Sequence, residues 1–396
     1  MNRIASLKDL AVKGKRVLVR VDYNVPQDGG AVADDTRIRA SLPTLSHLLQ
    51  DGARVILISH LGRPKGAPNL KYTLAPVAGH LSRLIGRPVA FAADCVGPIA
   101  EKAVKELKEG DLLLLENLRF HPEEEKNDPG FAKALAGLAD LFVQDAFGAV
   151  HRAHASTAGV PKLLPKAAGF LLEKELQFLG GLRDAPAKPF VALLGGAKVS
   201  DKIDVLDKLA DKVDSLVIGG AMAYTFLKSL GAATGKSLLE PDKVDTASAL
   251  LGKAKAKGVQ VLLPVDHLAV KSIKDTLSAH FTADQNIPDN EAGVDVGPKT
   301  LERMAPSLRA AKTIFWNGPM GIFEVDRYAQ GTRQVAKLCS DAALQGATVV
   351  VGGGDSVAAL QSTGLAKNIS HISTGGGASL EFLEGKELPG VAALAV

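Results

Sequence analysis

The stretch that decides the reading of this chain is Phe190-Val191-Ala192-Leu193-Leu194-Gly195-Gly196-Ala197-Lys198-Val199-Ser200-Asp201-Lys202. Its apolar opening reads as a short strand buried on both faces. The glycines that follow let backbone N–H groups approach a ligand, and the helix after them offers unpaired donors and a partial positive charge. The same order recurs at Val351-Gly352-Gly353-Gly354-Asp355-Ser356 and at Ser373-Thr374-Gly375-Gly376-Gly377-Ala378-Ser379. In open α/β sheets, ligands bind at these carboxyl ends of strands. One glycine cluster alone is an ordinary turn. Three, carrying Lys198, Lys202 and Asp355 between them, predict one crowded phosphate site. Lysines act there as point charges, and Asp355 is a hard oxygen ligand suited to Mg²⁺.

Outward from this stretch, short β-rich apolar runs alternate with longer amphipathic ones. Strands are predicted over residues 16–21, 54–59, 111–115 and 141–145, then over 190–194, 215–218, 259–263, 313–316, 348–351 and 371–373. Helical spacing fills most gaps, including 38–49, 99–107 and 328–344. Two such series predict an α/β chain of two doubly wound, parallel-sheet, Rossmann-like domains. The division falls where Pro161, Pro165, Pro186 and Pro189 flank a helix-like segment, 170–182. The expected domains are 1–170 and 189–382, joined by a hinge helix over 171–188.

Composition agrees with a globular protein: 396 residues, 46% hydrophobic and 23% charged. The net charge is +4, and the first 184 residues carry all of it, with 25 Lys and Arg against 21 Asp and Glu. So small an excess argues against nucleic-acid binding and fits a local pocket for an anion. The cysteines, Cys95 and Cys339, have no metal-type spacing and are expected as buried thiols. The N-terminus lacks a signal-peptide pattern. The longest nearly uncharged apolar stretch, 215–227, is shorter than the ~20 residues of a spanning helix. A cytoplasmic protein without membrane partners is expected.

In the first half, arginines and histidines gather at strand ends. They are Asp22-Tyr23-Asn24 with Arg37 and Arg39 beyond, Ser59-His60-Leu61-Gly62-Arg63-Pro64, Glu116-Asn117-Leu118-Arg119-Phe120, and Asp145-Ala146-Phe147-Gly148 leading to His151-Arg152-Ala153-His154. A single arginine is more often a weak surface ion pair. Repetition at strand ends predicts a bowl for a small polyanion, since guanidinium forks match carboxylate and phosphate. Gly231-Ala232-Ala233-Thr234-Gly235-Lys236-Ser237 is one residue short of a P-loop and follows a helix-like segment, so it reads as a surface turn. No G-x-G-x-x-G occurs, which weighs against a dinucleotide oxidoreductase. A non-catalytic binding protein is disfavoured by the joint presence of Arg37, Lys198, Lys202 and Asp355.

These segments, with Arg20-Val21-Asp22-Tyr23-Asn24-Val25-Pro26 and Trp316-Asn317-Gly318-Pro319-Met320-Gly321-Ile322-Phe323-Glu324, resemble the phosphoglycerate kinase family in family order over nearly the whole chain. The resemblance implies phosphoryl transfer between 1,3-bisphosphoglycerate and ADP, giving 3-phosphoglycerate and ATP, by a monomer. It implies that Asp22, Asn24, Arg37, His60, Leu61, Gly62, Arg63, Arg119 and Arg152 bind the phosphoglycerate. Lys202, Gly293, Glu324, Gly353, Gly354, Asp355 and Ser356 would bind nucleotide, with Asp355 holding Mg²⁺. Arg37, Lys198 and the backbone around Gly376 would act on the phosphoryl group, and segment 383–396 would return to the first domain. Tyr23 stands where the family often has Phe, and Asn290-Glu291-Ala292 departs from a Trp-containing version beside the adenine. No serine or cysteine triad is present, and none is needed, because carboxylate and phosphate nucleophiles are already ionised.

Overall fold

The computed structural model describes residues 3–395. They form two compact units: residues 3–177 with 387–395, and residues 178–386.

The strands of the first unit are β1 (Arg16–Val21), β2 (Gln27–Asp28), β3 (Ala31–Val32), β4 (Arg54–Ile58), β5 (Ala90–Ala92), β6 (Leu112–Leu115), β7 (Leu141–Asp145) and β8 (Lys166–Ala168). Six of them make one sheet in the order β5-β6-β4-β1-β7-β8, every neighbour parallel. Helices α1 (Thr36–Gln50), α2 (Ala75–Ile85), α3 (Gly97–Lys105) and α4 (Pro129–Gly137) lie between strands. In α1 the helical spacing of Ile38, Ser41, Thr44, Leu45 and Leu48 puts them on one buried face. Val17, Val19 and Val21 pack with Val55, Leu57, Leu112, Leu114 and Val143 in the core. β2 and β3 form a hairpin whose turn, Gly29-Gly30, has both φ angles positive, a geometry open to glycine. From Glu387 the chain packs in this unit: Leu388, Val391 and Leu394 are buried, and the Gly390 N–H donates to the Val150 carbonyl at 2.8 Å.

Helix α5 (Phe170–Asp184) begins in the first unit and ends in the second. There β9 (Phe190–Leu194), β10 (Ser215–Ile218), β11 (Gln260–Leu262), β12 (His267–Val270), β13 (His280–Phe281), β14 (Ala292–Val296), β15 (Thr313–Asn317), β16 (Thr348–Gly352) and β17 (His371–Ile372) follow. The main sheet runs β11-β10-β9-β15-β16-β17, all parallel. The chain winds outward from β9 in one direction, then from β15 in the other. This leaves a topological switch point between β9 and β15. Its helices are α6 (Ile203–Leu209), α7 (Met222–Ser229), α8 (Val244–Ala256), α9 (Pro298–Ala310), α10 (Gln330–Leu344), α11 (Gly354–Ser362) and α12 (Gly377–Leu383).

The doubly wound, parallel-sheet reading holds for both units. Three features escaped it. The edge strands β5 and β8 are three residues each, too short to show a period. β12, β13 and β14 form a separate antiparallel sheet. The helix expected from Tyr328 onward starts at Gln330, after a tight turn over Asp326–Tyr328. The segment 231–237 is also more than a surface turn. The Lys236 N–H donates to the Glu291 carbonyl at 2.7 Å, and Thr234 and Ser237 are buried. Both cysteines are free and buried, as expected.

Candidate active site

In the first unit the carboxyl ends of β1, β4 and β6 are stitched together by side chain to backbone bonds. The Gly62 N–H donates to Asn24 Oδ1 at 2.9 Å, and the Leu61 N–H to Asn117 Oδ1 at 3.3 Å. Gly62 has φ +62°, and a β-carbon there would collide with the Tyr72 ring, so glycine is required. Arg37 pairs with Asp22 at 3.1 Å and donates to the Asn24 carbonyl at 3.1 Å. Arg119 donates to the Gly62 carbonyl at 2.9 Å and is nearly fully buried. Arg152 is half-buried, and its Nε donates to His151 Nε2 at 3.1 Å. Asn24, Leu61, Gly62 and Tyr72 line a cavity of about 400 Å³ beside them.

His60 marks where these groups converge. It is buried, and its pKa falls well below the ordinary value, first through desolvation and then through the charges of Arg20, Arg119, Arg37 and Arg152. His154 is pushed down to about 4 by burial and then by Arg119, Arg20 and Arg152. Both imidazoles are thus neutral at pH 7, and the positive charge of the bowl belongs to the guanidinium groups. Beneath them, Arg20 Nε donates to Ser156 Oγ at 2.9 Å, and Ser156 donates from Oγ and from its N–H to Glu124, at 2.5 and 2.9 Å. Arg20 and Glu124 are fully buried counter-charges; burial lowers the Arg20 pKa and raises that of Glu124, and each opposes the other's shift. Arg63 is exposed and makes no hydrogen bond or ion pair among the described residues. Arg39 belongs elsewhere: it is exposed and pairs with Asp35 one turn earlier.

In the second unit the glycine loops interlock at the switch point. A β-carbon on Gly195 would collide with the Pro319 carbonyl oxygen, and one on Gly353 would lie 2.9 Å from Asn317 Nδ2. Gly196 (φ +107°), Gly318 (φ +102°) and Gly353 (φ +89°) hold backbone that other residues avoid. Ser356, the second residue after Gly354 at the start of α11, is buried and accepts from the Gly318 N–H at 2.5 Å. Lys202 Nζ donates to the carbonyls of Gly195 at 2.5 Å and Asn317 at 2.8 Å, bridging the ends of β9 and β15. Burial lowers its pKa to about 8, against the pull of Asp355 and Asp201. Lys198, Asp355 and Glu324 are exposed. Gly376 (φ +53°) precedes α12 at the end of β17, the strand beside β16. Gly293 stands apart from these loops, on β14 of the antiparallel sheet, where its N–H donates to Ser237 Oγ at 2.9 Å and an added β-carbon would collide with the Tyr224 hydroxyl.

Arg20, Glu124 and Ser156 were not assigned roles from the sequence. An arginine inside an otherwise apolar strand was the available signal; Ser156 and Glu124 lie more than a hundred residues from it.

Each unit therefore gathers polar groups at its strand ends: guanidinium groups in the first, glycine loops with lysines in the second. The family model for phosphoglycerate kinase matches residues 7–386. The chain is 58% identical over 389 residues to the phosphoglycerate kinase of Moorella thermoacetica, covering 98% of each. It is 55% identical to that of Anaeromyxobacter dehalogenans, covering 98% of this chain and 99% of the other. The solved phosphoglycerate kinase of Coxiella burnetii superposes with a TM-score of 0.87 at 41% identity, covering 99% of both chains. The fold and these matches define a kinase, a phosphotransferase with a carboxyl group as acceptor. The chain belongs to the phosphoglycerate kinase family.

Proposed function

We propose that this chain catalyses reversible transfer of the acyl phosphoryl group of 1,3-bisphosphoglycerate to ADP, giving 3-phosphoglycerate and ATP. The observation that carries this reading is the gathering of Arg20, Arg37, Arg119 and Arg152 about the buried His60, with Arg20 Nη2 3.1 Å from His60 Nδ1 and Arg37 and Arg119 bonded to the neighbouring Asn24 and Gly62 carbonyls. Arg20 is balanced by Glu124, and Arg37, Arg119 and Arg152 beside it favour a small, multiply charged anion such as a phosphoglycerate, with Asp22, Asn24, Leu61 and Gly62 setting its orientation and Arg63 added from solvent. In the second unit, Lys202 and the loops at Gly353, Gly354 and Ser356 take the nucleotide phosphates, and Gly293 and Glu324 its remainder.

Mg²⁺ suits the donors there. Asp355 is an exposed carboxylate in the first turn of α11, close enough to Lys202 to raise its pKa, and forms no ion pair among the described residues. Asp355 would hold the ion, which when bound neutralises phosphate charge. No general base is required, because the β-phosphate of ADP is ionised at pH 7. The residues supply position and charge: Arg37 and Lys198 bracket the oxygens of the phosphoryl group, and backbone N–H groups around Gly376 add donors. Holding both reactants in line is worth roughly 7–11 kcal/mol of the barrier.

The two sets of ligands belong to separate units, so in-line transfer calls for closure during turnover, with residues 170–189 as the hinge and water excluded from the acyl phosphate. The protein acts as a cytoplasmic monomer on this reading. Among the described residues no helix is long and apolar enough to cross a membrane. Titration calorimetry tests the assignment of ligands: Arg119→Ala should lose 3-phosphoglycerate binding and keep ADP, while Lys202→Met should do the reverse. Loss of both ligands in each variant, with the fold intact, overturns it.

A further inference from the structure

The first unit also brings His121 against the neighbouring pair Asp94 and Cys95. Asp94 and Cys95 lie between β5 and α3, and His121 follows the turn that carries Arg119. A carboxylate oxygen of Asp94, the Cys95 Sγ and an imidazole nitrogen of His121 all lie within 4.8 Å of one another. His121 Nε2 is 2.7 Å from Asp94 Oδ1, which also accepts the Cys95 N–H at 2.7 Å. Cys95 is fully buried, while Asp94 and His121 are half-buried, so the cluster has a closed floor and an open mouth. The Phe131 ring flanks His121, with centroids 5.3 Å apart. Glu116 and Glu124 add their negative charge to that of Asp94 at the thiol.

We propose that Asp94, Cys95 and His121 form a binding site for a thiophilic divalent cation, Zn²⁺ or its analogue Co²⁺, separate from the hard-cation position at Asp355. One sulfur, one nitrogen and one oxygen donor make the set that Zn²⁺ takes, and one that Mg²⁺ avoids. Metal–ligand bonds of about 2.0–2.3 Å place tetrahedral ligands roughly 3.5 Å apart. Asp94 and His121, being half-exposed, can swing to that spacing while the buried thiol stays put, and solvent fills the fourth position. Binding breaks the S–H bond and forms a metal–sulfur bond, and the proton leaves to solvent, so affinity rises with pH. Burial, and after it the neighbouring carboxylates, disfavours a bare thiolate, while those carboxylates favour a thiolate–cation pair. The metal replaces the His121–Asp94 hydrogen bond and so clamps the Cys95 loop to the segment bearing Arg119 and Glu124.

The test is titration of the full chain with Co²⁺ in excess Mg²⁺, followed by absorption. One equivalent should bring a near-ultraviolet thiolate-to-cobalt band and the visible bands of a four-coordinate ion. Cys95→Ser should abolish the near-ultraviolet band, and Cys339→Ser should keep it. His121→Ala, at a half-buried position, should weaken binding at least tenfold in a variant whose circular dichroism matches that of the unaltered chain. No thiolate band in the unaltered protein, or an unchanged Co²⁺ affinity in His121→Ala, overturns the site.

Discussion

Lys202 Nζ lies 2.8 Å from the main-chain carbonyl oxygen of Asn317, so a cation from the loop after β9 is held at the end of β15. That contact crosses the point where the winding of the second sheet reverses. It puts the charge where phosphates bind in such sheets, and burial makes it costly to keep.

The cost fixes a pH dependence. Lys202 has its pKa lowered to about 8, so it is charged below that pH and neutral above it. Without Mg²⁺, ADP affinity should hold steady to about pH 8 and then fall nearly tenfold per unit, since the neutral amine gives up its attraction for phosphate. The unfolded lysine keeps a pKa of about 10.4, so between ~8 and ~10.4 the unfolded chain binds more protons and this group makes stability rise with pH. Calorimetric titrations from pH 6.5 to 9 check the binding. A profile as flat as that of Lys202→Met would sink it.

The buried Arg20–Ser156–Glu124 network predicts an asymmetry between two substitutions. Glu124→Ala leaves the Arg20 guanidinium buried without its counter-charge and should cost about 3–5 kcal/mol of stability. Glu124→Gln keeps an acceptor for Ser156 and should cost less. Urea unfolding gives both values, and a Glu124→Gln variant as stable as the unaltered chain would contradict a charge-based account.

Gly195→Ala isolates the loop geometry from charge. Its β-carbon would collide with the Pro319 carbonyl oxygen, an overlap that only backbone movement relieves. Nucleotide affinity should drop at least tenfold while 3-phosphoglycerate binding in the first unit is retained. Unchanged ADP affinity would mean that the loops do not cradle phosphate.

Lys198 is exposed and carries no ion pair among the described residues. Its assigned role is with the phosphoryl group in transfer. Lys198→Ala should therefore lower kcat by about two to three orders of magnitude, as loss of an electrostatic donor does elsewhere, with little change in ADP affinity. Steady-state kinetics with a separate binding measurement checks it; normal kcat with poor ADP binding would move Lys198 to holding the ground state.

Much of the fold was legible because parallel strands buried on both faces leave unbroken apolar runs. Phe190–Leu194 is such a run throughout, and Arg16–Val21, Leu141–Asp145 and Ser215–Ile218 are mostly apolar runs with polar residues at an end or inside. Ala90–Ala92 and Lys166–Ala168 were silent, because a three-residue edge strand is defined by its neighbour and not by its own pattern. The antiparallel strands at His267–Val270 and Ala292–Val296 mix polar and apolar residues without a clear period. In the site, glycine clusters and strand-end arginines announced themselves locally. Glu124 beneath Ser156 and His121 beside Cys95 did not, since each meeting depends on chain segments that only the fold brings together.

The most direct test of the account is the formation of ATP from 1,3-bisphosphoglycerate and ADP with Mg²⁺, followed in a coupled assay. The account predicts saturable turnover in both substrates, reduced at least a hundredfold in Arg37→Ala. No ATP formation by the folded, unaltered chain, or undiminished turnover in Arg37→Ala, would contradict it.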